Sequence, residues 1–545
     1  LMPVKWNPYI KAGAESWNKA FEKIGFKDVI CVKEFPKNDT LFNANSFDCM
    51  TIRYSASWLN SAQTTIHSDT RTGEILNASI LINANMISVQ YADRIGATVA
   101  IDPRVRTTVF PQEIQGELIQ AAIAQAVGTG LGLTMNWGAS CAYPVDSLRS
   151  ASFTQKYGLA SSVMGGVIIN DVATEEDVRN GVCLVNTKPG PYDELVIKYL
   201  YQPIYASSLQ EEKETLDSWI REHTGDPYYA YIRNQSRFDS DPRNSRGSLG
   251  DDHLKSFDYM LPNVRKGFEN YYSWFAKEDR DFLMRRRVHS ALSERLSGRI
   301  YAILSYIGGI YLNDIREKDA IPSYSMVDRE KQKAALSKAL ELAKNLDWVD
   351  DTAHLNEFEI SDKKADRLRL DIFNGIFGRL PYVEVCTERF PDAAYTASEY
   401  LDDIYGIVWE GVLKHRPLEN FERALQTAFL ESIISTSTAT APIGSFKASK
   451  TGFAATGKPE INLAALRNGG KVDMKMYSLQ NAEEVAGFSS IPPIYTNQTK
   501  IAAYYFDLLM RTKDMLKKAI STAPEADRSH YDLLIYRINK ATEIE

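Results

Sequence analysis

The sequence predicts an α+β fold, in which an α/β domain with a mixed sheet is followed by a large, mostly α-helical domain. Two patterns lead to this prediction. Segments of strand length with alternating or continuous apolar residues precede an apolar helix that breaks at Gly128, Gly130 and Gly132. Beyond about residue 215, apolar residues recur mostly at helical spacing. We therefore expect one domain in residues 1–215 and a helical domain in residues 216–545.

Length and composition indicate a folded protein with more than one core. The chain has 545 residues, of which 44% are hydrophobic and 24% are charged, and a single core rarely serves more than about 300 residues. The net charge of -7 argues against a nucleic-acid partner, because phosphate binding needs clustered positive charge. No run of about eighteen apolar residues is present, so we expect no membrane span.

The first element is predicted to be an amphipathic helix. Asn7 and Pro8 are typical of a helix start, and Gly25 is typical of a helix end. One apolar stripe at helical spacing lies between them: Ile10, Ala14, Trp17, Phe21 and Ile24. Two strands are then expected, at residues 28–35 (DVICVKEF) and 50–54 (MTIRY).

A turn, a strand and a buried helix should follow. Thr72 and Gly73 predict a turn before an alternating segment that ends at Ile80 and Ile82. The helix has its apolar residues at helical spacing until the glycines end it in a tight turn: Ile119, Ala122, Ile123, Ala126 and Val127.

The rest of the chain is expected to be mostly helical. Residues 170–177 (NDVATEED) are read as a polar loop and residues 192–204 as a helix. Long buried helices are predicted at 288–311 and around 501–509, and a surface loop rich in Ser, Thr, Gly and Lys at 434–458. Because no fixed-period repeat is present, a helical bundle is favoured over a solenoid.

The glycine-broken helix and its flanks carry a resemblance to a known family. The stretch Gln125–Asn136 reads QAVGTGLGLTMN, and with Gly132 as the shared turn it resembles the signature HEVGHTLGLxHN of secreted bacterial metzincin-like zinc metalloproteases. That family also has a Met-turn of the form S-I-M-D-Y about thirty residues later. Ser162, Val163 and Met164 match its first half, whereas the following Gly-Gly does not. The resemblance covers at least the first half of the chain.

The resemblance implies a zinc peptidase fold, but this chain departs from the family at the residues that bind zinc. In the pattern H-E-x-x-H-x-x-G-x-x-H, three His hold zinc and the Glu takes a proton from the bound water. The corresponding positions here are Gln125, Ala126, Thr129 and Met135. An amide, a hydroxyl and a thioether are poor zinc ligands, and a methyl group cannot act as a base. We therefore expect neither zinc nor another cofactor, with Gly132 and Met164 retained as scaffold residues.

The resemblance also implies where a polypeptide would bind. In metzincins an edge strand that precedes the active-site helix pairs with extended peptide. By analogy the candidate strand here consists of Ser79, Ile80, Leu81, Ile82, Asn83 and Ala84. The alternative is an interior strand that binds no ligand.

The working hypothesis is a catalytically inactive metalloprotease homologue that binds or scaffolds polypeptide partners. One alternative is an active zinc metallopeptidase that uses a different metal site, although no His lies between residues 68 and 222. Another is a structural module whose cleft is filled by its own side chains. A secreted, periplasmic or cell-surface location is implied by the resemblance alone, because the chain opens on LMPVKWNP without a signal sequence.

Overall fold

The architecture is α+β, as the sequence predicts. A computed structural model describes residues 2–542 except for 37, 40, 41, 48, 60, 61, 233–239, 245–247, 314, 316–318, 320, 355–363 and 438–497. A three-stranded sheet and several helices occupy the first two hundred residues, and helices dominate thereafter. None of the described helices is long and apolar enough to cross a membrane.

The N-terminal helix is present but is divided in two. Helix α1 spans Asn7–Glu15 and helix α2 spans Asn18–Glu22. The Ser16 hydroxyl donates to the carbonyl oxygen of Gly13 at 2.7 Å, and both residue types are weak helix formers, which favours a break at this point. The predicted apolar stripe is nevertheless buried from Ile10 to Phe21, with Trp17 at 0% exposure, and Ile24 at its end is half-buried.

The predicted strand at residues 28–35 does not form. The backbone N–H of Ile30 donates to the Asn18 side chain at 2.8 Å, and its carbonyl oxygen accepts from the same side chain at 2.9 Å. The N–H of Val32 donates to Glu15 at 3.0 Å. Side chains of α1 and α2 therefore satisfy backbone groups that a neighbouring strand would otherwise bind.

The sheet has strand order β1-β3-β2. Strand β1 spans Ile52–Ser55, β2 spans Ala62–Ser68 and β3 spans Ile75–Asn83. β3 pairs with β1 in parallel, with Ile52 opposite Ile80, and with β2 in antiparallel, with Thr64 opposite Ile80. The predicted turn before β3 is confirmed, because Gly73 has a φ of +77° that glycine adopts at no steric cost. The sheet is thus mixed and its centre is β3.

Two helices follow the sheet. Helix α3 spans Ala84–Thr98 and helix α4 spans Gln112–Gly130. α4 begins after Pro111 and is buried on most sides, and it packs against α1, β2 and β3. It ends as predicted in a tight turn, where the N–H of Leu133 donates to the Gly128 carbonyl at 3.0 Å and Gly132 has a φ of +91°.

The remaining helices before residue 230 are short. Their bounds are Ala151–Tyr157 (α5), Glu175–Arg179 (α6), Pro191–Tyr201 (α7) and Leu209–Arg221 (α8). α7 matches the predicted helix at 192–204. The segment at 170–177 is not simply a polar loop, because Asn170 and Asp171 are fully buried.

The described residues of the second half form helices and one small hairpin. The helices are His253–Phe275 (α9), Leu283–Leu304 (α10), Arg329–Lys344 (α11), Lys364–Arg389 (α12), Ala397–Val408 (α13), Glu410–Leu413 (α14), Asn420–Ser437 (α15), Gln498–Ala519 (α16) and Glu525–Thr542 (α17). The hairpin strands are Ile310–Leu312 (β4) and Tyr324–Met326 (β5).

Two predictions in this half need correction. The long helix predicted at 288–311 ends at Leu304, because Gly308 with a φ of +61° turns the chain into β4. The predicted surface loop at 434–458 begins inside α15, and its residues from 438 onward lie outside the described part of the chain. The predicted helix around 501–509 is confirmed within α16.

The largest hydrophobic core contains residues from both sides of position 215. Ile95 of α3 and Leu118 of α4 belong to the same cluster as Phe257 of α9 and Leu292 of α10. A smaller cluster under the sheet joins α1, β3 and α4. The division at residue 215 stays a prediction, and the main core extends across it.

Candidate functional site

Helix α4 carries three of the four predicted site residues. Gln125, Ala126 and Thr129 lie in its last two turns. The Thr129 hydroxyl donates to the Gln125 carbonyl at 3.3 Å, and the Ala126 carbonyl accepts from the Thr64 hydroxyl of β2 at 3.0 Å. The side chains at 125 and 129 are half-buried, whereas Ala126 is buried. The helix thus presents an amide and a hydroxyl one turn apart, next to β2.

The turn at Gly132 brings the fourth position, Met135, back to the helix. The Nε2 atom of Gln125 donates to the Met135 sulfur at 3.1 Å. The positions that correspond to the first and third family ligands are therefore in direct contact. The hydroxyl of Thr129 is already bonded to its own helix. We call Gln125, Ala126, Thr129 and Met135 the candidate site.

The Met-turn, Ser162–Gly166, lies against α4. Met164 is fully buried, and its carbonyl oxygen accepts from the N–H of Asn136 at 3.0 Å. A Cβ atom at Gly128 would lie 2.6 Å from the Met164 sulfur and 2.5 Å from the Trp17 ring. Only a glycine at position 128 therefore allows α4, Trp17 and Met164 to approach this closely. Met164 fills a core position, as an apolar methionine does in a core of any kind.

A buried carboxylate holds the Met-turn from the other side. Asp193, in the first turn of α7, accepts from the Ser162 hydroxyl at 2.5 Å and from the N–H groups of Val163 and Gly190 at 2.9 Å each. Burial raises the pKa of Asp193 to about 7, and the three donors act in the opposite direction. The sequence reasoning missed this contact. The string GPYDE indicates a helix start with an acidic residue in its first turn, but not what that residue binds.

A segment from beyond residue 215 completes this region. The Asn136 side chain donates to the Ala230 carbonyl at 2.9 Å and accepts from the N–H of Ile232 at 3.1 Å. The Tyr231 hydroxyl lies 3.2 Å from that of Thr134. Residues 230–232 therefore border the candidate site, although nothing in their local sequence predicts it.

The predicted peptide-binding strand is wrong as an edge strand. Ser79, Ile80, Leu81, Ile82 and Asn83 belong to β3, whose two sides are paired with β1 and β2, and Ala84 begins α3. Both of its backbone edges are occupied, so β3 cannot add a peptide strand. The segment is an interior strand of the sheet, which is the position that the alternative gives it. In the described part of the chain, β2 pairs with β3 alone, and β2 is therefore the edge strand that lies next to α4.

The residues of the candidate site do not fit zinc. Structural and catalytic zinc sites use thiolate, imidazole or carboxylate ligands, and the three side chains here are an amide, a hydroxyl and a thioether. Among the described residues, no three His, Cys, Asp or Glu side chains are grouped so that they could hold a metal ion. No chemical step can be derived through a metal at this position.

A family comparison shows that the chain is a metalloprotease-like protein. A Met-zincin family model matches residues 107–416, which is more than half of the chain. The chain therefore belongs to the Met-zincin family. The match includes the candidate site, the Met-turn, Asp193 and Tyr231, and it crosses residue 215. No curated protein and no solved structure matches the chain.

Proposed function

We propose that this protein is a catalytically inactive Met-zincin that binds polypeptide partners. The observation that carries the proposal is the composition of the candidate site, where Gln125, Thr129 and Met135 replace three imidazoles and Ala126 replaces a carboxylate. The contact between Gln125 and Met135 at 3.1 Å directly joins two positions that a metal would otherwise bridge.

Each replacement removes a separate part of the hydrolytic chemistry. Without a metal, no bound water is acidified and no carbonyl is polarised. Without the Glu, no general base takes the proton, and loss of a general base alone costs about 10² to 10⁴ in rate. The two losses compound, because the base acts on the water that the metal would activate.

The scaffold that would hold an extended polypeptide supports the binding role. Strand β2 lies at the edge of the sheet, and Thr64 ties it to α4 beside Ala126. An edge strand offers a row of backbone N–H and C=O groups to an incoming strand. The side chains of Gln63, Thr65 and His67 on β2 are exposed. We therefore assign the pairing with an extended peptide to β2 instead of to residues 79–84.

The location of the protein is part of the same proposal. The metzincin-like relatives that the sequence resembles are secreted bacterial enzymes, and we infer that this chain acts in the cell envelope or outside the cell. Its partners are polypeptides, and neither nucleic acid nor a resident cofactor is needed for this role.

The proposal is tested with purified full-length protein in two measurements. The first is the zinc content together with cleavage of casein in the presence and absence of a chelator. We expect no stoichiometric zinc and no chelator-sensitive cleavage. Bound zinc with chelator-sensitive cleavage would mean that the protein is an active peptidase.

The second measurement first selects a binding sequence from a phage-displayed library of random peptides. Hydrogen exchange of the backbone amides is then measured with and without the synthetic peptide. We expect protection of the amides of β2 on addition of the synthetic peptide, with β3 unchanged because its amides are already bonded. If no peptide is enriched, or if β2 gains no protection, the binding role is wrong. The protein would then be a structural module whose cleft is filled by its own side chains.

A further inference from the structure

We propose that the end of the α9–α10 hairpin binds the surface of a membrane that contains anionic lipids. This binding goes beyond the proposed function and does not rest on it, because the surface shares no residue with the candidate site or with β2. The surface lies at the turn between the two helices and at the loop of residues 107–109. Its exposed cations and apolar side chains are called the basic tip below: Lys277, Arg280, Arg286, Arg287, Val109 and Leu283.

Helices α9 and α10 form an antiparallel hairpin. The backbone N–H of His253, at the start of α9, donates to the hydroxyl of Tyr306, just after the end of α10, at 2.9 Å. Further along the pair, a Cβ atom at Gly267 would lie 2.7 Å from the Leu292 side chain. The turn that connects the helices therefore lies at the opposite end of the hairpin from His253.

The turn is held in one conformation by contacts within it. Phe282 has a φ of +60°, which turns the chain into α10. The guanidinium of Arg285 lies 4.6 Å from the centre of the Phe282 ring and forms a buried ion pair with Asp279 at 3.3 Å. The exposed side chains of the basic tip are thus carried by a fixed backbone, which lowers the entropic cost of binding.

The loop before α4 brings a second apolar side chain to the same turn. The Glu278 carboxylate accepts from the Thr107 hydroxyl and from the N–H of Thr108 at 3.0 Å each. The next residue, Val109, is 70% exposed, and Leu283 at the start of α10 is 44% exposed. Two apolar side chains therefore contact solvent beside the cations of the turn.

The cations of the basic tip are exposed, and none of them forms an ion pair within the described part of the chain. Lys277 and Arg280 lie in the turn, and Arg286 and Arg287 lie near the start of α10. The chain as a whole carries a net charge of -7, so this group of unpaired cations differs from the average surface. Positive charge that no protein group neutralises favours an anionic partner.

The backbone of the turn favours a lipid surface over an acidic polypeptide. The N–H of Leu283 donates to Asp281 at 3.3 Å, and those of Met284 and Arg285 donate to Asp279 at 3.0 and 2.8 Å. An incoming polypeptide therefore finds no row of free backbone donors in the first turn of α10. A membrane surface needs only cations that contact phosphate and apolar side chains that enter the interface.

The experiment measures sedimentation of the full chain with two kinds of vesicle. One kind contains phosphatidylcholine alone, and the other contains equal parts of phosphatidylcholine and phosphatidylglycerol. The tip variant, Arg286→Gln with Arg287→Gln, removes two cations of the basic tip. Lys517→Gln with Lys518→Gln is the matched control, because both lysines are exposed at the end of α16 and form no ion pair with a described residue.

A second comparison tests the apolar side chains. Leu283→Ser is measured beside Leu413→Ser, because the two leucines are 44% and 46% exposed. Melting temperatures verify that each variant is folded. If the tip variant is unfolded, Lys277→Gln with Arg280→Gln takes its place, since both residues lie in the turn and outside the helices.

We expect wild type to bind the anionic vesicles and not the neutral ones, and to be released by high salt. Each Lys or Arg near an anionic surface strengthens binding about fivefold. The tip variant should therefore bind about thirtyfold more weakly than wild type, while its control binds as wild type does. Leu283→Ser should weaken binding about fivefold, and Leu413→Ser should leave it unchanged.

Three results would overturn the inference. They are no binding to the anionic vesicles, equal binding to both kinds of vesicle, and equal binding by the tip variant and its control. Binding of poly-glutamate that depends on the basic tip, without binding of vesicles, would assign an acidic polypeptide to this surface instead. None of these results concerns the amides of β2, so the proposed function would stand.

Discussion

The ligand side and the support side of the candidate site differ in how tightly they are held. On the ligand side, Gln125 and Met135 share one nitrogen-to-sulfur hydrogen bond and both are half-buried. On the support side, Met164 and Asp193 are fully buried, and three donors bind the Asp193 carboxylate. The residues at the family's ligand positions are thus only half-buried, whereas the packing beneath them is dense.

This difference teaches which residues determine the fold and which determine the reaction. Gly128, Trp17 and Met164 fit together so closely that no added atom is tolerated, and such packing is sensitive to any change of volume. Three of the four positions of the candidate site, Gln125, Thr129 and Met135, are only half-buried, so we expect their substitution to have less effect on folding. Substitution of the residues at the family's ligand positions is therefore compatible with a preserved scaffold.

The largest effect is expected from separating the two halves of the chain. Asp171, which follows the Met-turn, is fully buried and accepts from Arg295 at 2.6 Å and from Arg299 at 2.9 Å. Removal of these partners leaves an uncompensated buried charge and exposes the core faces of α3 and α4. A chain of residues 1–215 should be unfolded by circular dichroism and by heteronuclear NMR. A cooperative unfolding transition in this fragment would support the predicted boundary at 215 instead.

Removal of the carboxylate beneath the Met-turn should have the next largest effect. Asp193→Ala leaves the N–H groups of Val163 and Gly190 buried without an acceptor, and we expect a loss of about 3 kcal/mol in unfolding free energy. Ser162→Ala removes one of the three bonds to Asp193 and also the bond that the Ser162 hydroxyl accepts from the N–H of Met164 at 2.9 Å, so it should cost about 2 kcal/mol. Urea denaturation measures both. If Asp193→Ala is as stable as Ser162→Ala, the Asp193 carboxylate does not stabilise the Met-turn.

An added methyl group should lower the stability of the protein at Gly128, whereas the same change should be tolerated at Gly130. Gly128→Ala places a Cβ atom 2.5 Å from Trp17 and should destabilise the protein by about 2 kcal/mol through overpacking. Gly130→Ala is the matched control, because its Cβ atom would lie 3.3 Å from Ala78 and alanine favours the helix. Equal melting temperatures of the two variants would contradict the tight packing argument.

The raised pKa of Asp193 predicts a pH dependence on the support side. Because burial raises its pKa from 3.8 to about 7, the folded state binds a proton that the unfolded state has released. The stabilisation that this bound proton provides is complete below about pH 4. It is lost as the pH rises through 7, and the free energy of unfolding falls by up to about 1.4 kcal/mol per pH unit. The difference in unfolding free energy between wild type and Asp193→Asn should therefore shrink as the pH rises through this window. A difference that is constant with pH would argue against the raised pKa.

The smallest effect is expected on the ligand side. Met135→Leu removes a weak hydrogen bond from Gln125 but conserves volume, and such exchanges usually cost less than about 1.5 kcal/mol. Thermal unfolding compares this variant with Met164→Leu, which changes a fully buried residue against Gly128. We expect the second variant to be the less stable one. If Met135→Leu were the less stable variant, the ligand side would be packed as tightly as the support side, which contradicts the comparison.

The sequence predicted those features that depend on local patterns. The helix α4, the tight turn at Gly132 after its end, the turn at Gly73 and the strand β1 follow from spacing and turn chemistry. The matched family supports the resemblance to metzincins, and the four site positions that the resemblance implies stay a prediction.

Features that depend on distant contacts could not be predicted in this way. β3 alternates as an edge strand would, but its place in the sheet is decided by β1 and β2 on either side. Residues 28–35 have strand-like periodicity, yet Asn18 and Glu15 bind their backbone. The contacts of Asp171 with Arg299 and of Asn136 with Ile232 join residues about one hundred positions apart, and no local signal reveals them.

Restoration of the four family residues tests the central claim most directly. The variant Gln125→His, Ala126→Glu, Thr129→His and Met135→His is purified, and its zinc content is measured beside that of wild type. If the scaffold has been preserved while the ligands were lost, the variant should bind one zinc ion and wild type none. A folded variant that binds no zinc, or a wild-type protein that already holds zinc, would contradict this account.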